Sequence, residues 1–527
     1  MADKDTAIAE DAVNKLNLRL TKLISSHRRD RNQDVAINRL PAEVLARIFF
    51  HSFDGSYASQ FSRLHRLAKV SIRWSQLVKR TPELFGCVTT DNTTEHVHRM
   101  LRLSKNAPLD ILYRKDPFST SRRAELLETL LSQAHRWRSI EMSGVPPGVV
   151  NAVFQRTIPM LRDIHIVSNG YSEQICLDSE TLGRLRYLTL ERATLRWDPG
   201  NLKGLKSLDL SRIGTDGRPS QLQLLEILQA SPGIQVLRLG PESVGDAPPS
   251  LGDYTPTELP QLSEISFTDF TSSTAYNLLK SVRIPNCKIF VVKCPKALET
   301  VSATAALFDS ATNHVGPVVR SILQSISPIS ISLGPVMLLV CGRRKGYGLE
   351  VNIPMISLPD PIVWFESMID SVPNSATIST PIDGTPESRE PFPIFRHPSI
   401  DRVDIMGSSI GADRWIRHLG SPRLTDGILE WPLPRLTQLA FGNCAINPNQ
   451  LIKMVRYRYG KEEDQIFGRK MFGEAEECED RRSRPDKSPA RLERLTISGC
   501  NHLEINDFKQ LEGVIAAGNL ICNNRHL

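Results

Sequence analysis

Gly407-Ser-Ser409-Ile-Gly411 has the G-x-S-x-G spacing of a nucleophile elbow, in which a tight strand-to-helix turn lifts a serine hydroxyl clear of a sheet. A helix-prone stretch, ADRWIRHL, follows it. A serine hydrolase also needs an oxyanion loop before the serine, and an acid and then a histidine after it. His418 lies too close, His502 falls inside a repeated segment, and no H-G-G-G-like loop precedes the serine. The repeat register described below explains the same residues more simply: Ile400, Val403, Ile405 and Ile410 take its apolar positions and Ser408 its turn position. Hydrolysis at Ser409 is the weaker reading, and labelling with a serine-directed fluorophosphonate tests it. His96-x-His98 supplies two imidazoles but no third ligand at a compatible spacing, which predicts exposed loop histidines and no metal site. Gly342-Arg-Arg-Lys-Gly346 lacks the G-x-x-x-x-G-K-[ST] spacing that cradles phosphates and reads as a solvated hairpin or loop. With no activated nucleophile, paired acid and base or cofactor loop, the chain is read as a non-enzyme without a cofactor.

Composition bounds the elements that would carry a binding function instead. A chain of 527 residues exceeds the size at which one core keeps growing, so two units or an elongated repeat array are expected. The excess of 65 Lys and Arg over 58 Asp and Glu is too mild to argue for nucleic acid. The opening MADKDTAIAEDAV is acidic and has no apolar stretch of the secretory kind. The most apolar later run, from Ile326 to Cys341, holds Pro328, Gly334 and Pro335 and alternates. It predicts a buried strand and no membrane span. Nine cysteines, odd in number and without C-x-x-C, fit reduced thiols in the cytoplasm or nucleus.

From Trp137 onward the chain repeats itself. An apolar-x-x-apolar-x-apolar pattern starts at Trp137, Leu161, Leu185, Leu205, Ile234, Leu262, Cys287, Ile400, Leu436 and Leu492. The first seven starts are separated by 24, 24, 20, 29, 28 and 25 residues. These spacings fall in or near the period of a leucine-rich repeat, one short strand per unit followed by a turn and a helix or loop. Asn169, Ala193, Cys444 and Cys500 take the position after the strand where a buried Asn or Cys can bond backbone groups left unpaired by the bend. LQLLEILQASPG at 222–233 reads as a helix with its stop. The gap from Val292 to Ile400 leaves room for three or four degenerate units. Within it, Ser371 to Pro398 is rich in proline, serine and threonine and predicts a disordered surface loop. Lys461 to Arg491, with 17 charged residues out of 31, predicts a second solvated insertion.

Two helical segments precede the repeats. Val13, Leu16, Leu20 and Leu23, spaced 3, 4 and 3, lay an apolar stripe on a helix from about Thr6 to His27, a solvated arm expected to pack on the next domain. Between Asn38 and Phe85, Pro41 suits a first helical turn and Val44, Leu45, Ile48 and Phe49 follow at helical spacing. A second helix is predicted over Phe61 to Lys79, with Leu64, Leu67, Val70, Trp74 and Leu77 inside and Pro82 ending it. About 48 residues make a marginal core, one that gains from a neighbour or partner.

Residues 38 to 85 resemble an F-box. The matching residues are Leu40-Pro41-x-Glu43-Val44-Leu45-x-x-Ile48-Phe49, then His65-Arg-Leu67-Ala68-Lys-Val70-Ser71-x-x-Trp74, and Pro82-x-Leu84-Phe85 at the close. The chain departs from the pattern in a spacer about seven residues longer than usual, with FDGSYAS as the insertion, and in Phe85 where the family often has Trp. Together with the repeats, the arrangement is similar to fungal F-box proteins with divergent leucine-rich repeats. The resemblance implies an α/β chain: an N-terminal arm at 1–36, an all-helical F-box at 37–86, a linker and cap at 87–136, and a curved leucine-rich-repeat solenoid at 137–527. It implies a substrate-recognition subunit of an SCF-type cullin-RING ubiquitin ligase. A Skp-family adaptor, and through it a cullin, would bind Leu40, Pro41, Glu43, Val44, Leu45, Ile48, Phe49 and Trp74, and a target protein would bind the strands through side chains such as Arg186, Lys206 and Arg238. Leu40, Pro41 and Glu43 are the better interface residues, while Leu45, Phe49 and Trp74 are also suited to the core. A repeat scaffold with a degenerate F-box and no ligase role is the alternative. Neither nucleic acid nor membrane is expected as a partner.

Overall fold

The computed structural model describes residues 2–33, 35–52, 60–91, 93–114, 121–145, 147–169, 174–177, 179–198, 200–241, 243–245, 255–294, 315–326, 329–333, 337–344, 346–354, 376–381, 400–406, 412–421, 423–425, 428–459, 490–500, 503–512, 515 and 520–523. The chain is mixed α/β and divides into two compact units, Met1–Arg196 and Trp197–Leu527.

The first unit opens with α1, Ala2–Gln33, longer than the helix expected from the stripe because no Gly or Pro interrupts these residues. Its described side chains are exposed throughout, so the packing expected of the arm is not seen. A short 3₁₀ turn, Ala36–Arg39, leads through Leu40-Pro41 into α2, Ala42–His51. The expected second helix is two helices, α3 at Gln60–Ala68 and α4 at Ile72–Arg80. Ser71 causes the break: its extended backbone ends α3's course, and its side chain accepts from the Trp74 N–H as the cap of α4. Val70, expected inside, is consequently exposed in the turn. A 3₁₀ turn, Pro82–Phe85, buries Leu84 and Phe85 and closes the helical segment.

Parallel strands begin earlier than the repeated pattern suggests. β1, Cys87–Thr89, pairs with β2, Leu109–Arg114, across α5, Thr94–Ser104; β2 pairs with β3, Trp137–Val145, across α6, Ser121–Leu131. Residues 87–136, expected as a linker and cap, hold two strands and two helices that join the same ladder. Their pattern is hidden because Cys87 and Leu109 lack the full apolar spacing. The ladder continues in parallel through β4, Asp163–Ser168, after α7, Pro147–Phe154. A side ladder joins β5, Gln174–Ile175, to β7, Thr194–Leu195. Between those two lie α8, Ser179–Arg184, and β6, Tyr187–Glu191, the partner of β4.

In the second unit, β8, Ser207–Ser211, follows the same plan. It is followed by α9, Gln221–Gln229, whose Ser220 and Gln223 form a reciprocal capping box, and by β9, Val236–Leu239. β9 pairs in parallel with β11, Glu264–Thr268, and β11 with β13, Ile289–Lys293; α10, Ser272–Lys280, lies between them, flanked by the two-residue strands β10, Thr257–Glu258, and β12, Val282–Arg283. After α11, Val315–Ser325, the plan breaks. The single strand expected over 326–341 is two, β14, Ile329–Leu333, and β15, Met337–Arg344, paired antiparallel. Gly and Pro between them end the first strand. β15 turns back into β16, Tyr347–Pro354, which pairs in parallel with β13. Gly342, Arg343 and Arg344 of the basic stretch end β15, paired with Leu349, Gly348 and Tyr347, and Gly346 has φ +86.

Residues 376–381 form β17, Ala376–Pro381, parallel to β14 and to β18, Ile400–Met406. The disordered loop expected over 371–398 is therefore interrupted by a strand, its ATISTP alternating as a strand does, and the rest of that stretch lies outside the described residues. The chain continues through α12, Ala412–Gly420, and a small antiparallel pair, β19, Arg423–Thr425, with β20, Ile428–Glu430. Then come β21, Gln438–Gly442, α13, Pro448–Tyr459, β22, Arg494–Ser498, α14, Ile505–Glu512, and β23, Leu520–Asn523; β18, β21, β22 and β23 pair in parallel. The insertion expected at 461–491 lies outside the described residues except for Ala490 and Arg491.

All ten apolar patterns coincide with strands. Leu188, Leu190, Leu208, Leu210, Leu237, Ile265 and Phe267 are buried on one face of their strands while their neighbours alternate outward. Each such side chain contributes about 1.5–3 kcal/mol in transfer terms. At the turn position Asn169 donates from Nδ2 to the Gly144 carbonyl at 2.8 Å but is exposed, not buried as expected, whereas Cys444 is buried and its thiol contacts the Ile405 and Gly442 carbonyls at 3.4 and 3.3 Å. One residue earlier, seven after the pattern start, Gly144, Arg192, Arg212, Asp269, Asn443 and Gly499 all adopt left-handed backbone, with φ from 51 to 68.

Candidate docking face

α2 is apolar on two sides, and only one is used within the chain. Leu45 and Phe49 point into the helical core and are fully buried. Phe49 meets Trp74 of α4 with ring centroids 4.8 Å apart. Trp74 donates from Nε1 to Asn38 Oδ1 at 2.8 Å, and Arg73 donates to the Leu40 carbonyl, so α4 pins the segment that enters α2. Leu45, Phe49 and Trp74 are thus core residues; the expectation that they take part in partner binding is corrected by their burial.

On the adjoining side, Val44 and Ile48 are 42% and 40% exposed, one helical turn apart, with Pro41 and Glu43 also exposed and Leu40 half-buried at the entrance. This is the division the residue types make possible: four apolar positions at 44, 45, 48 and 49 are two i,i+4 pairs on adjoining faces, and Phe49, beside Trp74, decides which pair goes in. Phe50 on α2 and Val70 and Ile72 at the start of α4 are exposed as well, at 43%, 53% and 58%. Phe50 lies on the flank of the buried pair away from Val44 and Ile48. Val70 becomes legible as exposed only once Ser71 is read as a cap. The FDGSYAS insertion, 53–59, lies outside the described residues. α2 ends at Ser52, whose N–H reaches the Ile48 and Phe49 carbonyls.

The strands present a mixed polar face. Arg138 is held by Asp110 through two bonds of 3.0 and 2.5 Å, and hydrogen bonding to Asp110 raises its guanidinium above the usual range. In the second unit Arg238 bonds Glu264 at 2.6 Å and lies 3.6 Å from Asp209. Arg186, expected to face a target, is half-buried and donates to the Leu185 carbonyl at 2.7 Å; Lys206 is exposed just ahead of β8.

The residues considered for chemistry are dispersed. His96 and His98 lie on α5 and not in a loop, because the Thr93 side chain caps that helix by accepting from the His96 N–H. Two residues apart on a helix, they face different directions. Burial, with Arg99 adding, holds His96 below the usual histidine range. Among the described residues no group of three His, Cys, Asp or Glu is placed to hold a metal ion. Gly407–Gly411 and His502 lie outside the described residues, and His418 is buried on α12. The buried Cys287 thiol is pushed up to about 12, chiefly by desolvation. Among the described residues no helix is long and apolar enough to cross a membrane.

Compared with known proteins, the chain matches no family model and no curated protein.

Proposed function

We propose that the chain is the substrate-recognition subunit of an SCF-type cullin-RING ubiquitin ligase, with residues 37–86 acting as its F-box and the parallel strands and their helices as a leucine-rich-repeat array that holds a target protein. The observation that carries this reading is the outward pair Val44 and Ile48, standing beside Pro41 and the half-buried Leu40 on a helix whose other side is already buried against Trp74. A helix of a Skp-family adaptor laid on this face would cover these side chains, each contributing about 1.5–3 kcal/mol before the cost of association. Glu43, exposed in the first turn of α2, adds a polar contact at the rim. The protein then performs no chemistry itself: it fixes a target near a ubiquitin-charged enzyme held elsewhere in the assembly. The regular alternation along the strands supports the array, since side chains between the apolar positions face outward and are available to a target. Co-expression with a Skp-family adaptor tests the reading. The wild-type chain is expected to co-purify with it, and Leu40→Ala with Pro41→Ala to lose it while remaining folded. Retention of the adaptor by the double variant, or no capture by the wild type, overturns the assignment and favours a repeat scaffold without ligase function.

A further inference from the structure

The long helix α1 carries a second unpartnered apolar face, independent of the docking face on α2. Val13, Leu16, Leu20, Leu23 and Ile24 are 48–61% exposed and lie within one stripe of a helix about 48 Å long. A helix with such a stripe gains little stability from propensity alone and is stabilised chiefly by burying that stripe. The 3, 4, 3 spacing is that of a two-stranded helical seam, where alternate turns contribute one residue each to the contact. The charge along α1 says what covers it. Residues 3–11 carry four acids and one lysine, whereas residues 15–31 carry six Lys or Arg and one aspartate.

We propose that α1 is a self-association element that pairs antiparallel with α1 of a second copy of the chain. Antiparallel pairing sets the acidic end of each helix beside the basic end of the other and aligns their macrodipoles favourably; parallel pairing superposes like charges. About a centre near residue 18, Val13 meets Leu23 of the second copy and Leu16 meets Leu20. Asp11 and Lys15 are already joined within one helix at 2.6 Å, which leaves Glu10 at one end and Arg19, Lys22 and Arg28 at the other for contacts between helices.

Sedimentation equilibrium of the full chain, at low and high salt, tests this. A reversible dimer is expected that weakens severalfold as salt rises, because screening removes attraction between exposed opposite charges. Leu16→Asp with Leu20→Asp is expected to give a monomer that keeps the wild-type unfolding transition of the rest of the chain and loses helical circular dichroism only from α1, since both side chains are exposed outside the pairing. A wild type that stays monomeric at every concentration overturns the proposal. So does a dimer that survives the double substitution, or one that tightens with salt, which marks parallel pairing. Binding of a monomeric wild type to anionic lipid vesicles overturns it in favour of a membrane surface. Adaptor capture is a separate readout, so failure of either idea leaves the other standing.

Discussion

At the scale of single residues, the turns after the strands show how backbone demands outrank residue type. Arg192, Arg212, Asp269 and Asn443 hold left-handed backbone at one repeat position, a conformation costing a non-glycine residue about 1–2 kcal/mol. Asp269→Gly is therefore expected to leave stability unchanged or raise it slightly. Asp269→Val should lower it by about 1–2 kcal/mol, read from urea unfolding midpoints. A Cβ at the equivalent Gly499 would stand 2.2 Å from Asn443 Oδ1, so the Asn443 side chain would have to turn aside to admit it. This position was not legible in the sequence, because only two of its six occupants are glycines and arginine carries no turn signal. Arg458 makes a different demand: fully buried, it donates from Nη1 to the Leu419 carbonyl at 2.9 Å and from Nη2 to that of Leu433, and lies over the Trp431 ring at 5.5 Å. Arg458→Met strands two carbonyls at about 1–3 kcal/mol each, so a loss of about 2–6 kcal/mol is expected in the same assay. Asp163 sets a pH dependence. Burial first, and repulsion from Asp110 second, raise its carboxyl above the ordinary 3.8 against the pull of Arg138 and Arg162. A raised carboxyl binds its proton more tightly in the folded state, so its stabilising contribution is complete below 3.8 and lost as pH rises through the raised value. Asp163→Asn should raise the melting temperature at neutral pH, with the gain vanishing in acid below the ordinary carboxylate range.

At the scale of elements, the repeated apolar spacing located the strand of each of its ten units, because Leu188 and Leu190 or Ile265 and Phe267 bury on a period of two wherever they occur. Spacing was a poorer guide to helices that have two apolar sides. Nothing in the residue types of Val44 and Leu45 distinguishes the outward from the inward one; the choice is made by Trp74, thirty residues on in sequence and packed only in the fold. The two therefore predict opposite behaviour. Leu45→Ala should cost about 2–5 kcal/mol by leaving a cavity beside the Phe49–Trp74 pair, whereas Val44→Ala should change stability by no more than about 0.5 kcal/mol. Thermal denaturation of the two variants in the isolated chain checks this, and similar losses in both would show that Val44 is core. The split at Ser71 was equally hidden: a serine within an apolar-periodic run reads as a surface helical position until its hydroxyl is seen to accept the Trp74 N–H.

At the scale of the whole molecule, the helical segment and the first parallel strands cluster in one unit, Met1–Arg196. The Gly86 carbonyl accepts from the Asp110 N–H at 2.9 Å, and Thr90 donates from its N–H to the Leu112 carbonyl at 3.0 Å, so the helical segment runs directly into the ladder. Deleting residues 1–90 therefore strips β1 from β2 and exposes its edge. Such a protein should aggregate or lose its cooperative unfolding transition, so point substitutions on α2 are the cleaner probe of function. The proposed function needs a helix face that is bare in the isolated chain and covered by an adaptor on binding. Its most direct test is a calorimetric titration of the full chain, and of its Val44→Asp with Ile48→Asp variant, with a purified Skp-family adaptor. Saturable binding to the wild type, and none to a variant of unchanged melting temperature, is the result expected; equal affinity for both, or no heat with either, contradicts it.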